Sequence, residues 1–273
     1  MKVALVDNGS LEPAAHEGLR AAAAALSENA GIPVDAVSWK HSDRIAAAAL
    51  KGGPAWTLAP WIRARVADGE REFLLVPFFI SPQGAIGSAL ARDLAGLQEE
   101  TGGFSYAFTA GLAEGGTLGE ILADRVRQEI AARGLCAPPV IVVDHGGPSP
   151  VSAGVRDSAA DAARDLLVGE IGPLVSASME SPDGPGFAFN RPLLAEALTA
   201  SEFASGDVLI APLFLLPGRH AGPGGDLDAI AREAQARSPG LRCHFTGLVG
   251  SHALAVDALS RALARALAAA LPA

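Results

Sequence analysis

Val3-Ala4-Leu5-Val6-Asp7-Asn8-Gly9 opens the chain, and Val140-Ile141-Val142-Val143-Asp144-His145-Gly146 returns just past its middle. Each is a short aliphatic run without alternation, which reads as a strand buried on both faces and closed by an Asp-x-Gly loop. Two more landmarks recur in the same order: Pro77-Phe78-Phe79 with Pro212-Leu213-Phe214, and Gly111-Leu112 with Gly247-Leu248. From 7 to 144, 77 to 212 and 111 to 247 the offsets are 137, 135 and 136 positions, so one unit of about half the chain is duplicated. Where the second copy has His145 and His220, the first has Asn8 and Ala85. Two similar folds with one chemical site are expected.

Working outward, apolar runs alternate with helical patterns. Strands are expected at 3–6, 34–39, 73–79 and 104–109, with helices at 13–28, 59–67, 88–100 and 118–133. The order then restarts. Strands are expected at 140–144, 174–179, 208–216 and 241–246, and helices at 152–168, 192–200, 225–237 and 252–270. Asn190 is read as the cap of the helix at 192. Each half is βαβαβαβα, which predicts an α/β protein of two similar lobes. Each lobe has a four-stranded parallel sheet flanked by helices. Gly134 and Pro138-Pro139 punctuate the junction, so the expected domains are 1–136 and 137–273.

The bulk properties narrow the function. With 273 residues, 49% hydrophobic and 19% charged, the chain is globular in composition. A net charge of −9 disfavours nucleic acid and anionic membranes as partners. Two cysteines, Cys136 and Cys243, neither build a disulfide scaffold nor make a CxxC metal pair, and they suit a reducing cytoplasmic setting. No apolar run reaches the roughly 20 residues of a membrane span.

In a sheet ordered 2-1-3-4, strands one and three are neighbours whose connections leave to opposite faces, and a crevice opens at their carboxyl ends. His145 follows strand one of the second half and His220 follows its strand three. A lone loop histidine more often meets solvent or a backbone carbonyl. Two bordering one crevice favour a site that holds a divalent transition metal or takes a proton. Arg219, Arg156 and Arg191 are candidates to pair with ligand carboxylates, and Glu180 to add a carboxylate at the crevice. Gly222-Pro223-Gly224-Gly225 precedes a helix and is a candidate anion cradle. No phosphate loop, dinucleotide fingerprint or serine elbow is present, which disfavours a nucleotide cofactor. A metal-dependent hydrolase would want more carboxylates than Asp144 and Glu180.

With these residues in view, the second half resembles the class II chelatases of tetrapyrrole synthesis, most of all the sirohydrochlorin cobaltochelatase family of cobalamin synthesis. The resemblance rests on Val143-Asp144-His145-Gly146, on Pro212-Leu213-Phe214-Leu215-Leu216-Pro217-Gly218-Arg219-His220, and on Val249-Gly250-Ser251-His252. It implies a lyase that inserts Co(II), or Ni(II) or Fe(II), into a metal-free polycarboxylate tetrapyrrole such as sirohydrochlorin. His145 and His220 would bind the metal or receive pyrrole protons while the cleft walls bend the ring. It implies a flavodoxin-like fold for the lobes, no nucleotide, and a monomer or homodimer. The family often continues His-Gly-Ser-Arg, whereas this chain has His145-Gly146-Gly147-Pro148. Together with the degenerate first half, that departure keeps a second reading alive: a non-catalytic metal or tetrapyrrole binder on the same scaffold.

Overall fold

The computed structural model describes residues 1–81 and 85–270. In chain order its elements are β1 (Lys2–Asp7), α1 (Pro13–Ala30), β2 (Val34–Ser38), β3 (Trp56–Thr57), α2 (Leu58–Ala67), β4 (Glu72–Pro77), α3 (Ala85–Thr101), β5 (Ser105–Phe108) and α4 (Thr117–Arg133). The second series is β6 (Val140–Asp144), α5 (Pro150–Leu166), β7 (Leu174–Ser178), α6 (Leu194–Ala197), β8 (Gly206–Pro212), α7 (Asp226–Arg237), β9 (Leu241–Phe245) and α8 (Ala253–Ala270).

Two wholly parallel sheets form, ordered β3-β2-β1-β4-β5 and β7-β6-β8-β9. The second has the expected 2-1-3-4 order. The first has five strands rather than four, because Trp56–Thr57 adds to β2 through Val37 and Ser38. Two residues are too few to register as an apolar run, which is why sequence pattern missed them. The central strands explain the duplicated runs: Ala4 to Val6 and Val140 to Val143 are fully buried, covered on both faces by helices.

The chain divides into two compact units, one of Met1–Glu114 with Ala253–Ala273 and one of Gly115–His252. They differ from the sequence halves at their last helices: α4 belongs with the second sheet and α8 with the first. Within the first unit, Trp61 of α2 meets Phe73 edge-on at 5.4 Å, Phe73 meets Phe104 at 5.2 Å, and Leu90, Leu94 and Leu97 of α3 join the same cluster. Within the second, Ile141, Val143 and Ile210 pack against Leu194, Phe203, Leu227 and Ala231. Burying each such side chain contributes about 1.5–3 kcal/mol.

Around the second sheet's carboxyl edge the local structure departs from expectation. The helix expected at 192–200 is one turn, Leu194–Ala197, entered from Leu193, whose N–H donates to the Glu196 carboxylate at 2.8 Å. Asn190 is therefore not its cap. It is buried, and its amide donates to the Gly147 carbonyl at 2.9 Å and accepts from Gly147 N–H at 3.3 Å. That exchange ties the loop after β7 to the loop carrying His145.

Candidate functional site

β6 and β8 lie side by side, with Val143 opposite Pro212. His145 directly follows β6, and His220 lies on the loop after β8. Their ring centroids are 4.7 Å apart with planes at 88°. The two imidazoles separated by 75 positions thus meet at the crevice between neighbouring strand ends, both part-exposed.

Hydrogen-bond partners assign the tautomers. The His145 Nδ1 lies 3.1 Å from the Gly146 carbonyl, which can only accept, so Nδ1 carries the proton. The His220 Nδ1 lies 2.7 Å from the Asp226 carboxylate and carries a proton for the same reason. In its neutral form each ring then keeps the Nε2 lone pair for a metal or a proton.

Glu180 comes to the crevice beside His145, its Oε1 3.7 Å from Nδ1. The two main chains are stitched: Glu180 N–H donates to the His145 carbonyl at 3.1 Å. Gly146 must be glycine here. Its φ is +82°, and a Cβ would lie 1.9 Å from the Glu180 carbonyl oxygen.

Arg156 corrects the sequence-based expectation of a ligand contact. It is 1% exposed, and its guanidinium is committed internally. It donates to Ser178 Oγ at 2.5 Å, to Asp157 at 2.8 Å and to the Phe189 carbonyl at 2.9 Å, and it sits 3.5 Å from the Asp144 carboxylate. Ser178 also donates to Asp144 at 2.6 Å. Burial pushes the Asp144 carboxyl up from the ordinary value, against the pull of Ser178 and Arg156. Arg156 thus frames the strand end on which His145 stands, with its guanidinium committed to partners inside the fold.

Arg219 is 80% exposed, with its Nε 3.7 Å from Asp226, so most of its donors face outward. Arg191 pairs with Glu196. The glycine-rich stretch is not an anion cradle: Gly224 N–H donates to Asp228 at 2.7 Å, and the N–H groups of Asp226 and Leu227 go to the carbonyls of Arg219 and His220. His252 meets Asp124 at 2.7 Å and His244 meets Asp207 at 2.8 Å. The described residues begin again at Ala85, whose side chain lies outside them, so its equivalence to His220 stays a reading of sequence.

Sequence reasoning missed Asp226. An acid at the first helical position, after a glycine-rich loop, is ordinary helix chemistry, and only the return of the chain shows that it meets His220. Among the described residues, no group of three or more His, Cys, Asp or Glu is arranged to hold a metal. The crevice therefore offers two imidazoles and an open remainder.

The CbiX family profile matches residues 139–266, the segment that carries both histidines. That segment of the chain is similar to the CbiX family. No curated protein matches the sequence. Among solved structures, SirB from Bacillus subtilis with Fe3+ superposes with a TM-score of 0.69 at 13% identity, covering 97% of this chain and 95% of that one. The sirohydrochlorin chelatase SirB from Bacillus subtilis subspecies spizizenii in complex with cobalt gives 0.68 at 13% identity, with coverages of 97% and 95%. CbiX, described as the terminal enzyme for biosynthesis of siroheme in denitrifying bacteria, gives 0.63 at 17% identity over 100% of both chains. At these identities the likeness is one of fold, and it spans both sheets of this chain. Among the described residues, no helix is long and apolar enough to cross a membrane.

Proposed function

We propose that this protein inserts a divalent metal into sirohydrochlorin or a related polycarboxylate tetrapyrrole, with Co(II) the preferred metal and Ni(II) or Fe(II) the others. The observation that carries the reading is the pair of imidazoles 4.7 Å apart, each with its Nδ1 engaged by an acceptor oxygen. Two nitrogen ligands hold a first-row transition metal while leaving most of its coordination sphere open. A third or fourth side-chain ligand would retain the ion, whereas a delivery site must release it to the ring nitrogens. As the metal enters, two pyrrole N–H protons would leave, one to an imidazole relieved of metal and the other to solvent water. Arg219, with most of its guanidinium outward, offers a bidentate contact to a substrate carboxylate. Glu180 keeps negative charge beside His145, which attracts the incoming cation.

The CbiX match over the histidine-bearing half supports this reading. The SirB structures with Fe3+ and with cobalt support a first-row metal without choosing between iron and cobalt. Siroheme and cobalamin routes both remain compatible with it. No nucleotide enters the scheme. The free thiols Cys136 and Cys243 suit a cytoplasmic setting, and the scheme needs no more than a monomer or homodimer. The duplicated units 1–136 and 137–273 would then be two chelatase lobes that exchange their last helices.

Mixing purified protein, sirohydrochlorin and Co(II) and following the visible spectrum tests the proposal. Insertion should outpace the protein-free control. His145→Ala and His220→Ala should each abolish the acceleration with an unchanged far-ultraviolet circular dichroism spectrum. Retained turnover in both variants removes the site. One observation favours a second reading, a non-catalytic metal or tetrapyrrole carrier: Gly147-Pro148 stands where the family often has Ser-Arg, and the buried Arg156 does not replace that arginine. Binding without acceleration in the same assay would select the carrier.

A further inference from the structure

The two imidazoles are not held alike. His145 Nδ1 is bonded to the carbonyl of its own neighbour, Gly146, while Glu180 lies 3.7 Å off and is 62% exposed. His220 is held at both ends by the first turn of α7. Its carbonyl accepts from Leu227 N–H at 3.1 Å, and the preceding carbonyl, of Arg219, accepts from Asp226 N–H at 3.1 Å. Its ring meets the Asp226 carboxylate at 2.7 Å. Gly225 lets this approach happen, since a Cβ there would lie 2.9 Å from both the Arg219 and His220 carbonyl oxygens.

From this juxtaposition we infer that Asp226 is the positioning residue for His220: it fixes the ring's rotation and its Nδ1–H tautomer so that Nε2 is presented to the metal. The inference rests on the metal-delivery reading given above and deepens it. A carboxylate behind a ligating imidazole orients the ring and raises its donor strength, and loss of such a partner lowers metal affinity by about 10–100-fold. His220 is then the imidazole on which a metal is first seated. His145, which has no comparably close carboxylate, is freer to turn and to exchange metal for a proton. An aspartate one residue into a helix also favours its N-terminus, so charge at that position has a purely structural use as well. The test must separate the two roles.

The measurement is Co(II) titration into the tetrapyrrole-free protein by calorimetry, paired with imidazole 1H–15N correlation spectra of the metal-free protein. Asp226→Ala should weaken Co(II) binding by about 10–100-fold and mix the His220 tautomers. Asp226→Asn, whose side-chain oxygen still accepts from Nδ1–H, should keep the single tautomer and recover most of the affinity. A purely structural aspartate would leave the His220 tautomer unchanged in Asp226→Ala. Wild-type affinity and tautomer in Asp226→Ala, alongside lost binding in His220→Ala, overturn the positioning role while leaving the metal site standing. Undiminished binding in His220→Ala overturns the metal site itself, and the positioning role with it.

Discussion

At the end of β1, Asp7 lies opposite Ser38; at the end of β6, Asp144 lies opposite Ser178. The helix that follows starts with Pro13 in one copy and Pro150 in the other, so the offset of 137 holds through this region. It pairs Leu19 with Arg156, and both are buried. In the second copy the guanidinium bridges the carboxyl, the serine and the loop after β7. In the first copy a leucine fills that place, and Asp7 Oδ1 is buried with no hydrogen-bond partner among the described residues. Burial pushes the Asp7 carboxyl up to about 6, despite hydrogen bonds from Ser38 and from backbone that pull it down. The next positions diverge in step. Asn8 replaces His145, and Lys40, whose carbonyl sits against Gly9 as the Glu180 carbonyl sits against Gly146, replaces Glu180. The copy that keeps the imidazoles also keeps a polar frame beneath them. The copy that lost them retains the carboxyl without its cation.

The comparison breaks most visibly at Arg156. Arg156→Met leaves the largely buried Asp144 without its cation, and removing one partner of a buried pair costs up to about 3–5 kcal/mol. Urea unfolding should show that loss, and a cost below about 1 kcal/mol would mean that Arg156 does not hold the strand end. Asp7→Asn should move stability the opposite way, upward by about 1–3 kcal/mol at pH 7, since a shift of about two pKa units corresponds to about 3 kcal/mol. The sign follows from proton binding. With its folded value near 6 and an ordinary value of 3.8, the folded state binds more protons between those limits. Wild-type stability therefore falls as pH rises through that window, and the asparagine variant does not share the fall. Denaturant midpoints of both proteins should converge near pH 4 and separate by pH 7; curves that stay parallel would remove the claim. The smallest effect belongs to Lys40, whose ammonium lies 3.1 Å from Asp93 with both side chains nearly half exposed. Lys40→Met should lower stability by less than about 1 kcal/mol, and added salt should shrink even that difference. A larger, salt-independent loss would assign Lys40 a buried role it does not have in this structure.

Much of the architecture was legible because it is written locally. Val140 to Val143 reads as a doubly covered strand, short and β-branched, and the repeated landmarks carry that reading to Val3 to Val6. The pairing of His145 with His220 was also reachable, because parallel order 2-1-3-4 brings the ends of strands one and three together. β3 was not legible, since two residues carry no period. Nor was the short α6, where the Glu196 side chain and a buried Asn190 decide the path in place of propensity. Arg156 misled because an arginine on an amphipathic helix has the same sequence signature whether it faces water or a buried carboxylate.

Sequence by itself determined the duplication, the parallel α/β class and which copy holds the imidazoles, because hydrophobic runs and crossover order are set over short stretches of chain. Tertiary structure alone decided that Arg156 frames the site, that Asp226 stands behind His220, and that the last helices change units. Those outcomes depend on burial and on angstrom-scale distances between residues remote in sequence. Desolvation decides whether a charge is paired or exposed, and desolvation is a property of the packed molecule.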